Sequence, residues 1–186
     1  MEFFNTHVLI NFQRYLDSED SLSNAAKSFS ADSDEYRAAI EQVMVDAMNA
    51  AIAIYHLADH IFLQNSNAFP SVVYQTTKLD GYREFLDKNR CIYIGNGRIV
   101  NDLSLLGSIV DAYKHFDLNN KSRPVTSANA TIVVSTGWGE LPFGEFKWGG
   151  LPQVIVKLNG GQKRALKKIL QNVIEMWKLE IQIHSL

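Results

Sequence analysis

The sequence predicts a mainly α protein (α+β): a helical bundle around one long central helix, with a small antiparallel β-meander ahead of the C-terminal helix. Three observations carry this. Apolar residues recur at three- and four-residue spacing from about Asp32 to Gln64, with no internal glycine or proline. Between about residues 128 and 158 the pattern becomes extended, and "ATIVVST", "GEFKW" and "QVIVKL" are separated by glycine- and proline-bearing turns. Helical spacing then returns in Leu166, Ile169, Leu170, Val173, Trp177 and Ile181.

Taken in order, Phe4, Val8, Leu9, Phe12 and Leu16 predict a first helix, which the polar run "DSEDSLSN" is expected to end or interrupt. In "ADSDEYRAAIEQ", Asp32 is placed as N-cap of the central helix with Glu35 as its reciprocal partner. The core stripe of that helix is expected at Ile40, Met44, Ala47, Ala51, Tyr55, Ala58 and Phe62, and its many alanines let neighbouring helices come close. "QNSNAFPSVV" reads as a loop, "LDGYREFLDKN" as a short helix and "IGNGR" as a turn. Asn101 is expected to cap a helix reaching Asp117, with Leu103, Leu106, Val110 and Tyr113 on one stripe. Asn159, with Gln162 three residues on, is expected to open the last helix.

A length of 186 residues predicts one domain, 1–186, because a second core would be undersized. With 46% hydrophobic and 20% charged residues the composition is that of an ordinary globular protein. A net charge of −2 argues against a dedicated nucleic-acid binder, which needs a broad basic surface. The lone Cys91 rules out an intrachain disulfide and is read as structural. The N-terminus "MEFFNTHVLINFQRY" lacks the basic and apolar regions of a secretion signal, so a cytoplasmic location is expected. Ala50 to Leu63, the longest apolar tract, is interrupted by His56, Asp59 and His60 and is too short to span a bilayer.

The chemistry-bearing residues fall in two helices. His56 and His60 in "AIAIYHLADHIFLQ" share one side of the central helix, as do Asp111 and His115 on the later one. If those faces meet, His56, His60, Asp111 and His115 form a ligand set for a divalent metal such as zinc. Alternatively, His56, Asp111, Lys114 and His115 could do acid–base work, with Lys114 or Arg123 neutralising an anionic group. The simplest alternative leaves the histidines solvated or interfacial, opposite the core stripe, with Val45, Ile52 and Ala53 apolar enough to meet a partner element or a second subunit. Two further candidates are an anion site at Gly160, Gly161, Lys163 and Arg164, whose plain alternative is a hairpin-to-helix turn, and an aromatic lid of Trp138, Phe143, Phe146 and Trp148.

With "YHLADHI" on one helix, "IVDAYKHFDL" on another and a C-terminal helix bearing "EMWKLEI", the chain from about Tyr55 to Trp177 resembles a group of uncharacterised bacterial helical proteins. Their pattern is a Tyr-His-Leu helix, an Asn-Ala-x-Lys-His helix and a Trp-bearing last helix. The resemblance marks His56, Lys114 and His115; Asp111 stands where that pattern has Asn, and His60 is an addition. The helices also distantly resemble HEPN-type folds, whose ribonuclease members carry an Arg followed four to six residues later by His. No arginine here precedes a histidine at that spacing, so this likeness implies a non-catalytic relative. The expected function is a non-enzymatic binding or interaction domain without a cofactor, pictured as a homodimer. The alternative is a hydrolase or nuclease, metal-dependent or not, built on the His/Asp cluster of the two helices.

Overall fold

The computed structural model describes residues 2–65, 74–93, 97–120, 122–135, 145, 147 and 149–184. Five α-helices are present among them: α1 (Leu9–Ser28), α2 (Asp34–Gln64), α3 (Leu79–Asn89), α4 (Asp102–His115) and α5 (Leu166–His184). A π-helical turn, Phe4–Val8, leads into α1, and a 3-10 turn, Ala128–Ala130, leads into β1. The strands β1 (Thr131–Ser135), β2 (Pro152–Lys157) and β3 (Lys163–Ala165) form one antiparallel sheet in the order β1-β2-β3. The mainly α class with a small sheet before the last helix is therefore as the sequence indicates.

The first helix does not stop at "DSEDSLSN". Ser18, Ser21 and Ser23 each donate their hydroxyl to the carbonyl four residues back, which satisfies them within α1. Tyr15, Glu19 and Leu22 keep helical spacing through the polar run and are buried, the Tyr15 hydroxyl donating to Glu19 at 2.8 Å. Lys147, 3.3 Å from the same carboxylate, balances its charge. In α2 the N-cap is Ser33, whose hydroxyl accepts from the Tyr36 amide, and Asp32 instead offers its carbonyl to Arg37. The buried stripe is also rotated from the expected one. Val43, Ala47, Ala50, Ala51, Ile54, Leu57, Ala58 and Ile61 face the core, while Ile40, Met44, Tyr55 and Phe62 lie half-buried at its margin. The alanines at the centre of that stripe explain how α1, α3, α4 and α5 can all pack on one helix.

The sheet differs in its third strand. Lys163, Arg164 and Ala165 pair with Lys157, Val156 and Ile155, so these residues extend the sheet and α5 opens only at Leu166. Of "GEFKW", Glu145 and Lys147 are described and lie outside any strand; its other residues, like the proposed lid of Trp138, Phe143, Phe146 and Trp148, fall outside the described residues. Most of the "QNSNAFPSVV" loop and the start of "IGNGR" do so as well. Strand β2 is buried over Pro152–Val156 and touches both α1 and α5. Among the described residues no helix is long and apolar enough to cross a membrane.

The start of α4 shows how the helices are tied together. Asn101 precedes the helix, but its side chain makes no capping bond. Asp87 of α3 does so from outside, its Oδ1 accepting from the Leu103 and Ser104 amides at 3.0 and 3.3 Å and its Oδ2 from the Ser104 hydroxyl. Burial, aided by neighbouring Asp102, raises the Asp87 carboxyl above its ordinary range, and the three donors pull the other way. Asp87→Ala should lower folding stability by about 1–3 kcal/mol, since it removes a cap and strands a buried amide. Urea denaturation measures this, and a loss below about 0.5 kcal/mol would show that water replaces the cap.

Candidate functional site

Helix α2 presents Tyr55, His56 and Asp59 on neighbouring turns, at the edge of its buried stripe. Helix α3 adds Arg83, and α4 adds Asp111 and Lys114. Arg123 comes from the strap that follows α4. Phe116 takes a left-handed conformation (φ 63°) that reverses the chain there, and the strap returns through an Asp117–Ser127 bridge. Val125 is fully buried, and Asn159 donates to the Arg123 carbonyl at 2.8 Å, so the strap is held at its centre.

The side chains join into a chain of contacts. His56 Nδ1 lies 2.7 Å from Asp59 Oδ2, and Lys114 Nζ lies 2.6 Å from His56 Nε2. The other oxygen of Asp59 is ion-paired with Arg83, whose guanidinium stacks 4.5 Å above the Tyr55 ring. Arg123 donates to Asp111 Oδ2 at 2.7 Å. Burial pushes the Tyr55 phenol above its ordinary value, with Asp111 and Asp59 adding to the rise and Arg83 and Arg123 opposing it. Tyr55 is thus a neutral phenol at neutral pH. A Cβ on Gly107 would stand 2.8 Å from the Tyr55 ring and 2.9 Å from its hydroxyl oxygen, so only glycine lets α4 approach this closely. Beside these contacts is a cavity of about 370 Å³, within the size range of small-molecule sites, whose lining includes Tyr55, Asp80, Arg83, Glu84, Ser108, Asn120 and Arg123.

The expected catalytic group is assembled in part. His56 and Lys114 touch, and Asp111 sits on the neighbouring Arg123 rather than on a histidine. His115 is exposed at the end of α4. The four-residue metal set His56, His60, Asp111 and His115 does not come together, and among the described residues no group of three or more His, Cys, Asp or Glu side chains could hold a metal. Helical geometry gives the reason: four residues advance about 40° past a full turn. His60 thereby faces the N-terminal turn and stacks on Phe3 at 3.7 Å, while both ring nitrogens of His56 are engaged elsewhere.

The second anion candidate is also corrected. The Gly161 amide donates to Leu158 O and the Asn159 amide to Pro124 O. Arg164 is 17% exposed and is taken up by Asp102 and Glu145, while Lys163 belongs to β3. "LNGGQ" is a tight turn between β2 and β3. Cys91 is fully buried and burial pushes its thiol up to about 12, in line with a structural role.

Sequence reasoning missed Asp59, Arg83 and Tyr55. Asp59 was legible, because its i, i+3 spacing from His56 puts a carboxylate beside the ring. Arg83 carries no such signal, since 24 residues separate it from Asp59. Neither a protein-family model, a curated protein nor a solved structure matches this chain. Its chemistry is therefore argued from its own side chains.

Proposed function

We propose that this chain is a non-enzymatic binding domain that takes an anionic ligand at the exposed His56–Lys114 pair, beside the cavity between α2, α3 and α4. One observation carries the reading. Arg83 is paired with Asp59 and Arg123 with Asp111, whereas Lys114 rests on a ring nitrogen of His56 rather than on a carboxylate. Lys114 is exposed, and of the described cations Arg83, Arg123 and Lys114 it is the one whose described contact is not a carboxylate. The resemblance to the Tyr-His-Leu bacterial proteins adds support, because it marks both His56 and Lys114. Lys114→Met should abolish anion binding, seen by calorimetric titration of a panel of phosphate, sulfate and citrate, with the fold intact by circular dichroism. Equal affinity in wild type and variant would sink the proposal.

A hydrolase reading is favoured by a different feature. Asp59 on Nδ1 fixes the His56 tautomer that leaves Nε2 basic, as a general base requires. Against it, Nε2 already carries Lys114 rather than a nucleophile. Recovery of phosphomonoesters and RNA unchanged after incubation is expected; conversion that is lost in His56→Gln would replace binding with hydrolysis. Self-association is a separate proposal, resting on Val45 and Leu63, which stay exposed on the outer side of α2. Sedimentation equilibrium is expected to show a dimer, and a strict monomer removes that proposal.

A further inference from the structure

We propose that the ligand of the His56–Lys114 pair is an oxyanion that still carries a proton, with hydrogen phosphate as its simplest member. The inference rests on the anion-site reading above and names the class of ligand. Its ground is the asymmetry of the two sides of His56. Asp59 Oδ2, 2.7 Å from Nδ1, is a carboxylate acceptor, so the single proton of the neutral ring sits on Nδ1. Nε2 is then an acceptor, and Lys114 Nζ at 2.6 Å donates to it. Arg83, ion-paired to the other Asp59 oxygen, keeps that carboxylate in place.

An anion that draws Lys114 off the ring leaves Nε2 without a protein donor, and a part-buried acceptor left unpaired is unfavourable. A fully deprotonated oxyanion cannot repair this, because it offers only lone pairs to a lone pair. An oxyanion with an O–H can: one oxygen accepts from Lys114 while the hydroxyl donates to Nε2. Inorganic phosphate keeps at least one P–OH at neutral pH, and sulfate, with the same tetrahedral shape, keeps none. The His56–Lys114 pair therefore selects by the ligand's proton rather than by its size.

Calorimetric titration of the full chain with inorganic phosphate and with sulfate, at neutral pH and matched ionic strength, tests this. Phosphate is expected to bind at least about tenfold more tightly, a difference of about 1.4 kcal/mol. In His56→Phe the two anions should fall within about threefold of each other, below 1 kcal/mol. Sulfate within about threefold of phosphate in the wild type would overturn the inference and leave the anion site standing. No binding of either anion would remove the anion site itself. Nitrogen NMR of His56 keeps the proposal falsifiable if the variant does not fold: the neutral Nδ1–H ring should persist when phosphate is added, and its conversion to imidazolium would overturn the proposal. Glycerol phosphate measured at pH 6, where about half of a monoester keeps its proton, separates the sources of the group. Binding tighter than inorganic phosphate assigns a phosphomonoester and weaker binding the free ion, both within the proposed class.

Discussion

Replacing Arg164 by methionine is expected to lower folding stability by about 3–5 kcal/mol, the range for removing one partner of a buried ion pair. The guanidinium forms a fork on Asp102 at 3.0 and 3.2 Å and contacts Glu145 through Nε. Both carboxylates are 2% exposed. Without the arginine, Asp102 keeps a bond from Asn172 at 2.6 Å and Glu145 keeps bonds from the Ala165 amide at 2.7 Å and the Tyr93 hydroxyl at 3.2 Å, donors that are neutral and cannot offset two buried charges. By contrast, Lys88 and Glu84 pair in the open, and breaking that pair should leave stability nearly unchanged. The Arg164→Met deficit should also shrink on acidification. In the variant the two carboxylates hold protons more tightly folded than unfolded, so their contribution is favourable at low pH and is lost as pH rises. Chemical denaturation across a pH series measures both effects. A deficit under about 1 kcal/mol that ignores pH would show the carboxylates solvated instead.

Trp177→Ala should be of similar size, about 3–5 kcal/mol, for a different reason. The indole is fully buried on the inner face of α5, and its Nε1 donates to the Ile54 carbonyl of α2 at 3.0 Å. Alanine removes both the packing volume and the bond. Trp177→Phe keeps a ring but loses the donor, and a deficit of about 1–2 kcal/mol is expected from the bond and the smaller void together. Thermal and denaturant unfolding of the two variants separates these contributions. Equal deficits would mean that the hydrogen bond, rather than the packing, dominates.

The elements visible in the sequence are those that periodicity alone controls. Helix α3 at Leu79–Asn89 and the body of α2 follow from spacing, and so does the buried row Leu166, Ile169, Leu170, Val173 and Trp177. What escaped was decided by distant partners. The polar run in α1 stays helical because Glu19 meets Tyr15 and Lys147, and the third strand is "KRA" because β2 has an edge to pair with. The stripe of α2 turned because alanines, small rather than strongly apolar, occupy its crowded side. At the site, His56 and Lys114 were both named from the sequence, but their contact depends on how α2 packs on α4. That packing is set by Gly107 and Tyr55, neither of which announces a role in the sequence.

Because the cap of α4 is supplied by a side chain of α3, the two helices share a fate during fluctuations. An excursion that lifts the C-terminal turn of α3 also releases the Leu103 and Ser104 amides, and the first turn of α4 opens with it. Amide exchange at the start of α4 therefore follows the opening of α3 rather than the fraying of its own end. Ser104 and Arg83 both line the groove, so the two helices are expected to open as one cooperative unit around whatever the groove holds.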